Sequence, residues 1–221
     1  MTDSTPPQIV GVIFSAADLK RAVRMRNPPD LFELRLDALV PDLDSVKREI
    51  QKLRAPLIIT ARHPREGGVN QLAPGRRRAL LREFLPHAAY VDIELRSGRA
   101  SAAILKAARA QNIRTIVSFH DFKGTPGAAK LTTIVRTAKS LGADLVKIAT
   151  TTDTAAQLKT LLDFFEAHRG KMKLAAMGMG RFGRTARLWC ARHGSVLNYA
   201  HPGTPRVDGQ LSVAQWRRAL K

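Results

Sequence analysis

The feature that most restricts this chain is an eightfold alternation of short β-branched runs with longer segments of helical period. The runs are QIVGVIFS from Gln8, LFELRLD from Leu31, PLIITAR from Pro56 and YVDIELR from Tyr90, then IRTIVSF from Ile113, ADLVKIAT from Ala143, KLAAM from Lys173 and SVLNYA from Ser195. Each has strand length, and several are almost unbroken in Val, Ile and Leu, the pattern of strands covered on both faces. Helical segments between them include LDSVKREIQKL from Leu43, AAILKAARAQ from Ala102, LTTIVRTAKSL from Leu131 and DTAAQLKTLLDFFEAH from Asp153. A last one, LSVAQWRRAL from Leu211, is capped near Ser212. Parallel neighbours need a crossover between them, so strict β–α alternation predicts an α/β fold with a parallel sheet. Eight units in 221 residues predict a closed (β/α)8 TIM barrel, one domain over residues 1–221, slightly shorter than the roughly 250 residues usual for that fold. An open doubly wound sheet is the competitor. It is weakened because SAADLKR, not a glycine-rich dinucleotide fingerprint, follows the first run.

Composition narrows the classes further. Apolar residues at 44% and charged residues at 25% are ordinary for a globular chain and exclude a disordered or collagenous one. The single cysteine, Cys190, excludes an internal disulfide and any multi-cysteine metal site. In helix seven it reads as a small packing residue. No apolar run approaches the roughly 18 residues needed to span a bilayer. The opening MTDSTPPQ lacks the layout of a signal peptide. The expectation is a cytoplasmic protein without a membrane partner. The unusual quantity is charge: 37 Lys and Arg against 18 Asp and Glu leave +19, with a pI near 11.2. That balance points to an anionic partner without choosing among nucleic acid, surface and small molecule.

Charges within the runs are more specific. Alternation puts Glu33, Arg35 and Asp37 on one face of the second strand, and Asp92, Glu94 and Arg96 on one face of the fourth. Helices cover the outside of a barrel, so those faces point into it, where charge is costly unless paired or used on a ligand. Lys147 sits between Val146 and Ile148, where desolvation lowers the amine pKa and suits it to imine chemistry on a carbonyl. His120, just past the fifth strand, falls at the carboxyl rim where barrel enzymes gather catalytic groups. Arg62, followed by the Glu66-Gly67-Gly68 turn, suits a clamp on carboxylate or hydroxyl groups. MGMGRFGRTAR, from Met177, leads through glycines into an arginine-bearing helix where Arg187 could hold an anion. The six histidines show no metal-ligand spacing, so no metal site is expected.

Together these segments resemble type I 3-dehydroquinate dehydratase, the Schiff-base enzyme family of the shikimate pathway, over nearly the whole chain and in family order. Glu33-Leu-Arg35-Leu-Asp37 resembles its E-x-R-x-D strand, and Arg62 through Gly68 its R-x-x-x-E-G-G segment. Ser118 through Pro126 is similar to S-x-H-D-F-x-x-T-P, and Asp144 through Ala149 to D-x-x-K-I-A. Met177-Gly178, Arg187 and Gly209-Gln210 fall where the substrate loops belong. The resemblance implies an imine between Lys147 and the C3 ketone of 3-dehydroquinate, with His120 as base at C2 and acid at the C1 hydroxyl. Glu66 would orient His120, Arg187 would take the substrate carboxylate, and Glu33, Arg35, Arg62 and Gln210 would contact ring hydroxyls. It further implies a homodimer and no metal or organic cofactor.

Two departures stand out. The family's serine–arginine pair near the seventh strand reads Ala186-Arg187. Its S-A-P-G-Q loop reads Arg206-Val207-Asp208-Gly209-Gln210, with arginine in place of a substrate-contacting serine. The expected effect is on KM before mechanism. Two other readings stay open. A lysine-imine barrel of aldolase type would explain Lys147 but not the H-D-F segment. A basic nucleic-acid binder would suit +19, but the positives are dispersed and aromatics are only 5%.

Overall fold

Parallel ladders run through the whole molecule in the computed structural model, which describes residues 6–221; the first five residues of the polar MTDSTPPQ opening lie outside the described residues. In chain order the elements are β1 (Gln8–Ile13), α1 (Ala16–Arg24), β2 (Leu31–Arg35), α2 (Leu43–Glu49), β3 (Leu57–Thr60), α3 (Pro74–Phe84), β4 (Tyr90–Glu94) and α4 (Ala102–Ala110). They continue with β5 (Arg114–Asp121), α5 (Ala128–Ser140), β6 (Leu145–Thr151), α6 (Ala155–His168), β7 (Leu174–Met179), α7 (Gly183–Arg192), β8 (Leu197–His201), β9 (Leu211–Ser212) and α8 (Val213–Ala219). The strand order is β7-β6-β5-β4-β3-β2-β1-β8-β9. The sheet curls until β7 and β8 approach each other. Between β7 and β8 no ladder forms; the seam is bridged by the Val196 N–H donating to the Leu174 carbonyl, at 3.1 Å.

Alternation along each strand divides the apolar residues between two compartments. Val10, Leu31, Ile58, Tyr90, Ile116 and Leu145 fill the barrel interior. Phe32, Leu34, Ile59, Val91 and Ile93 face outward beneath the first helices, and Val117, Val146, Ile148 and Ala176 do so beneath α5 to α7. Trp216 of α8 is fully buried against Ile9 and Ala200 and covers the β1–β8 edge. Cys190 is packed in the outer core of α7, where burial pushes its thiol up to about 12. That is an inert packing residue. Thr154 and Ser212 each close a capping box at the start of α6 and α8.

Three local expectations are corrected. His120 lies inside β5, because pairing with β6 continues through Asp121 opposite Thr150. Leu211-Ser212 is extended against Ala200-His201, so the last helix begins at Val213. Strands β2 and β4 end at Arg35 and Glu94, which places Asp37 and Arg96 beyond them. No helix among the described residues is long and apolar enough to cross a membrane.

Candidate active site

At the carboxyl ends of the strands the barrel opens into a cavity of about 340 Å³, the usual location for chemistry in this architecture. All eight residues singled out in sequence line it: Glu33, Arg35, Arg62, Glu66, His120, Lys147, Arg187 and Gln210. Met177, Met179, Phe14 and Phe122 supply apolar wall and lip.

Lys147 stands at the bottom. Its Nζ is 3.2 Å from Asp92 Oδ2, 3.6 Å from Glu33 Oε1 and 3.8 Å from the Tyr199 ring centroid. Burial lowers the lysine pKa even though Glu33 and Asp92 pull the other way, and Arg62 adds to the lowering. Burial would raise Asp92, but Arg62 and Lys147 together hold it well below the usual carboxylate range. Both partners of this pair are therefore shifted down, unlike a simple ion pair. The reason is geometric: Arg62 grips Asp92 with both terminal nitrogens at 2.8 and 3.1 Å, so the carboxylate belongs first to the guanidinium. Ser118 donates to Asp92 at 2.5 Å and Thr60 to Glu33 at 2.8 Å, completing a buried network. Arg62 is thus engaged with the protein, donating also to Ser118 at 2.6 Å, while still bordering the cavity.

His120 sits on the rim with Nδ1 3.0 Å from Glu66 Oε2, and its backbone N–H donates to the same oxygen at 3.0 Å. Burial, then Arg62 and Lys147, hold the imidazole well below its ordinary pKa, so it is neutral near pH 7. Burial raises Glu66 to about 7. With Glu66 ionised, Nδ1–H donates to it and Nε2 carries the free lone pair, the arrangement a general base requires. Glu66 comes from the tight turn Pro64–Glu66, closed by Gly67 at φ 81°, a backbone shape that favours glycine. Arg35 pins that turn from the neighbouring strand β2, donating to the Gly67 carbonyl at 2.9 Å and bidentately to Asp37. Arg96 Nε donates to Glu66 Oε1 at 2.8 Å.

Arg187 differs from every other buried cation here. It is 4% exposed, its Nε donates to the Gly178 carbonyl at 2.9 Å, and its Nη1 has no partner. No carboxylate lies within salt-bridge distance among the described residues, and burial pulls its pKa down to about 10. Gly178 brings α7 close enough to deliver it, since a Cβ there would meet Thr152 Oγ1 at 2.5 Å and the Ala186 Cβ at 2.7 Å. Ala186 itself is packed in the outer core and does not reach the cavity, so that departure leaves the site untouched. Arg206 does reach it: its guanidinium stacks on Phe14 at 4.5 Å and donates to Asp18 at 3.4 Å. Gln210 accepts the Arg206 N–H at 2.8 Å and so braces the same loop.

Tyr199, Asp92 and Ser118 were not among the expected site residues. Asp92 was visible as a charge on an inward face. Tyr199 could have been found the same way, because alternation in β8 puts it on the inward face with Leu197 and opposite Ala200. Among the described residues no group of three His, Cys, Asp or Glu side chains could hold a metal ion.

A family model described as Type I 3-dehydroquinase matches residues 15–221. The chain is 34% identical to a 3-dehydroquinate dehydratase of Methanosarcina barkeri over 87% of its own length and 84% of the relative's. It is 31% identical to one of Thermococcus onnurineus, over 96% and 97%. A crystal structure of 3-dehydroquinate dehydratase from Geobacillus kaustophilus superposes with a TM-score of 0.87 at 28% identity, covering 98% of this chain and 90% of that one.

Proposed function

The chain belongs to the type I 3-dehydroquinase family, hydro-lyases that dehydrate 3-dehydroquinate, and from that premise we propose which of its side chains carry the steps. Membership sets aside the aldolase-type and nucleic-acid readings of the sequence. Lys147, its pKa lowered by burial, attacks the C3 ketone and expels water, forming a protonated imine. That cation is an electron sink, which acidifies the adjacent C2–H. Asp92 and Glu33, at 3.2 and 3.6 Å from the nitrogen, balance the positive charge as it forms.

His120 takes the C2 proton on Nε2, with the imidazolium stabilised by Glu66 at 3.0 Å. The resulting enamine expels the C1 oxygen, to which His120 returns the proton, releasing water. Hydrolysis of the imine frees the conjugated product and restores Lys147. Arg187 receives the substrate carboxylate, which supplies the acceptor its buried guanidinium lacks. Glu33, Arg35, Arg62 and Gln210 border the space left for ring hydroxyls. The observation that carries the assignment is the pairing in one cavity of a desolvated lysine with a neutral, carboxylate-oriented histidine. No step calls for a metal or organic cofactor. We also propose a cytoplasmic homodimer, on the family resemblance; sedimentation at a single-chain mass would overturn the dimer.

Borohydride added during turnover tests the covalent step. Mass spectrometry should find one reduced adduct, on Lys147, and Lys147→Ala should neither trap nor turn over. Trapping on another lysine would refute the assignment. His120→Ala should still trap substrate while dehydrating very slowly.

A further inference from the structure

We propose that the face of the Tyr199 ring is a further catalytic group, which holds the nucleophile's nitrogen through the positively charged stage of the reaction. The proposal rests on the imine assigned to Lys147. Nζ lies over the ring, 3.8 Å from its centroid. That is well inside the roughly 6 Å over which an aromatic face attracts a cation, and the attraction is strongest where water is excluded. Here it is excluded: Lys147 and Tyr199 are each 4% exposed, and both border the catalytic cavity. The two side chains come from different strands, and alternation turns both inward. Ala175, the β7 residue in register with Lys147, offers only a methyl group to the same interior layer, which leaves the ring within reach.

What the ring adds follows from counting protons on the nitrogen. A lysine ammonium has three N–H donors, enough to turn toward both Asp92 at 3.2 Å and Glu33 at 3.6 Å. A protonated imine keeps one, so it can serve only one of those carboxylates well. Neither carboxylate is free to follow the nitrogen. Asp92 is gripped by Arg62 and Ser118, and Glu33 accepts from Thr60 at 2.8 Å. An aromatic face acts on the charge itself and needs no proton. Its pull therefore survives the change from ammonium to iminium, and a planar C=N⁺ suits a planar ring. The hydroxyl is not the working part: it is buried without a partner among the described residues, and the ring face is what meets the nitrogen.

Graded fluorination at position 199 tests the ring, because each fluorine drains negative potential from its face while hardly changing its shape. Tyr199→Phe should keep kcat/KM within about threefold. Replacing that phenylalanine with its mono-, di- and trifluoro analogues should lower kcat/KM stepwise, by about tenfold across the series. Tyr199→Leu should lose at least about tenfold. The affinity of a non-ketonic carboxylate analogue, which forms no imine, should be the same in every variant. A flat series, a parallel loss of analogue affinity, or a collapse already in Tyr199→Phe would overturn the proposal. Borohydride trapping of the parent protein is a separate readout. No adduct on Lys147 refutes the imine reading itself, whereas an adduct with a flat series refutes only the role of the ring.

Discussion

Replacing Arg187 with methionine should stabilise the empty protein and cripple its affinity for substrate. The guanidinium is 4% exposed and has one protein acceptor, the Gly178 carbonyl at 2.9 Å. Burial draws its pKa from 12.5 to about 10, which corresponds to roughly 3 kcal/mol of penalty on the charged form. The native state binds fewer protons than the unfolded chain between those two values, so stability rises as pH climbs through that window. Below about pH 10 the full penalty is present, so a comparison at pH 7 measures all of it. Methionine removes the penalty, fills similar space and forfeits the Gly178 hydrogen bond, worth about 1 kcal/mol. The net expectation is a gain of about 2 kcal/mol by denaturant unfolding, or a Tm rise of roughly 4–8 °C for a domain of this size. Loss of a charge-assisted pair to the carboxylate, about 3 kcal/mol, should raise KM on the order of 100-fold. A non-ketonic carboxylate analogue of the substrate should then raise the Tm of the parent protein and leave that of Arg187→Met unmoved. A variant less stable than the parent when empty, with KM unchanged, would refute the reasoning.

Two further outcomes follow from the rim. Because Glu66 must be ionised to accept the His120 Nδ1 proton and burial sets its pKa at about 7, kcat/KM should fall as pH drops below about 7. Arg96→Ala removes a charge and a hydrogen bond that both hold Glu66 down, so that acid limb should move upward; a limb that stays in place would separate Arg96 from Glu66. Arg206→Ser removes the stack on Phe14 and the Asp18 contact from a half-exposed side chain. It should raise KM several-fold with kcat nearly unchanged, and a collapse of kcat would show that Arg206 does more than hold its loop.

How much of this was legible beforehand depended on how far each signal reached along the chain. The barrel was readable because its constraint repeats: every strand supplies the same alternation, so the misplaced end at His120 and the two-residue ninth strand at Leu211 leave the eight units intact. Lys147 and the Glu33 strand were readable because charge inside a buried parallel strand has few explanations. What did not show was allocation among partners. Nothing in a single strand says that Arg62 will spend both terminal nitrogens on Asp92 and Ser118, or that Arg187, alone among the buried cations of the described residues, will be left without a carboxylate, since those choices arise from register across five strands. Tyr199 was missed because a tyrosine in a strand is ordinarily packing. It lines the cavity, and Lys147 approaches its ring to 3.8 Å. Much of the +19 lies outside the cavity, and no structural feature accounts for it.

The unladdered seam between β7 and β8 bears on the order in which the molecule assembles. Strand β8 finds its ladder on β1, and the Asn198 side chain that reaches the Gln8 carbonyl closes a loop of 190 residues. Closing so long a loop costs about 2–3 kcal/mol more than closing one of ten residues. The pairings of β1 through β7 join near neighbours and carry a smaller closure cost. Strand β8 is what brings Tyr199 over Lys147, so the dryness that lowers the lysine's pKa depends on the most expensive closure in the sheet. A chain in which β8 has left β1 would wet Lys147 and return its pKa toward the ordinary value.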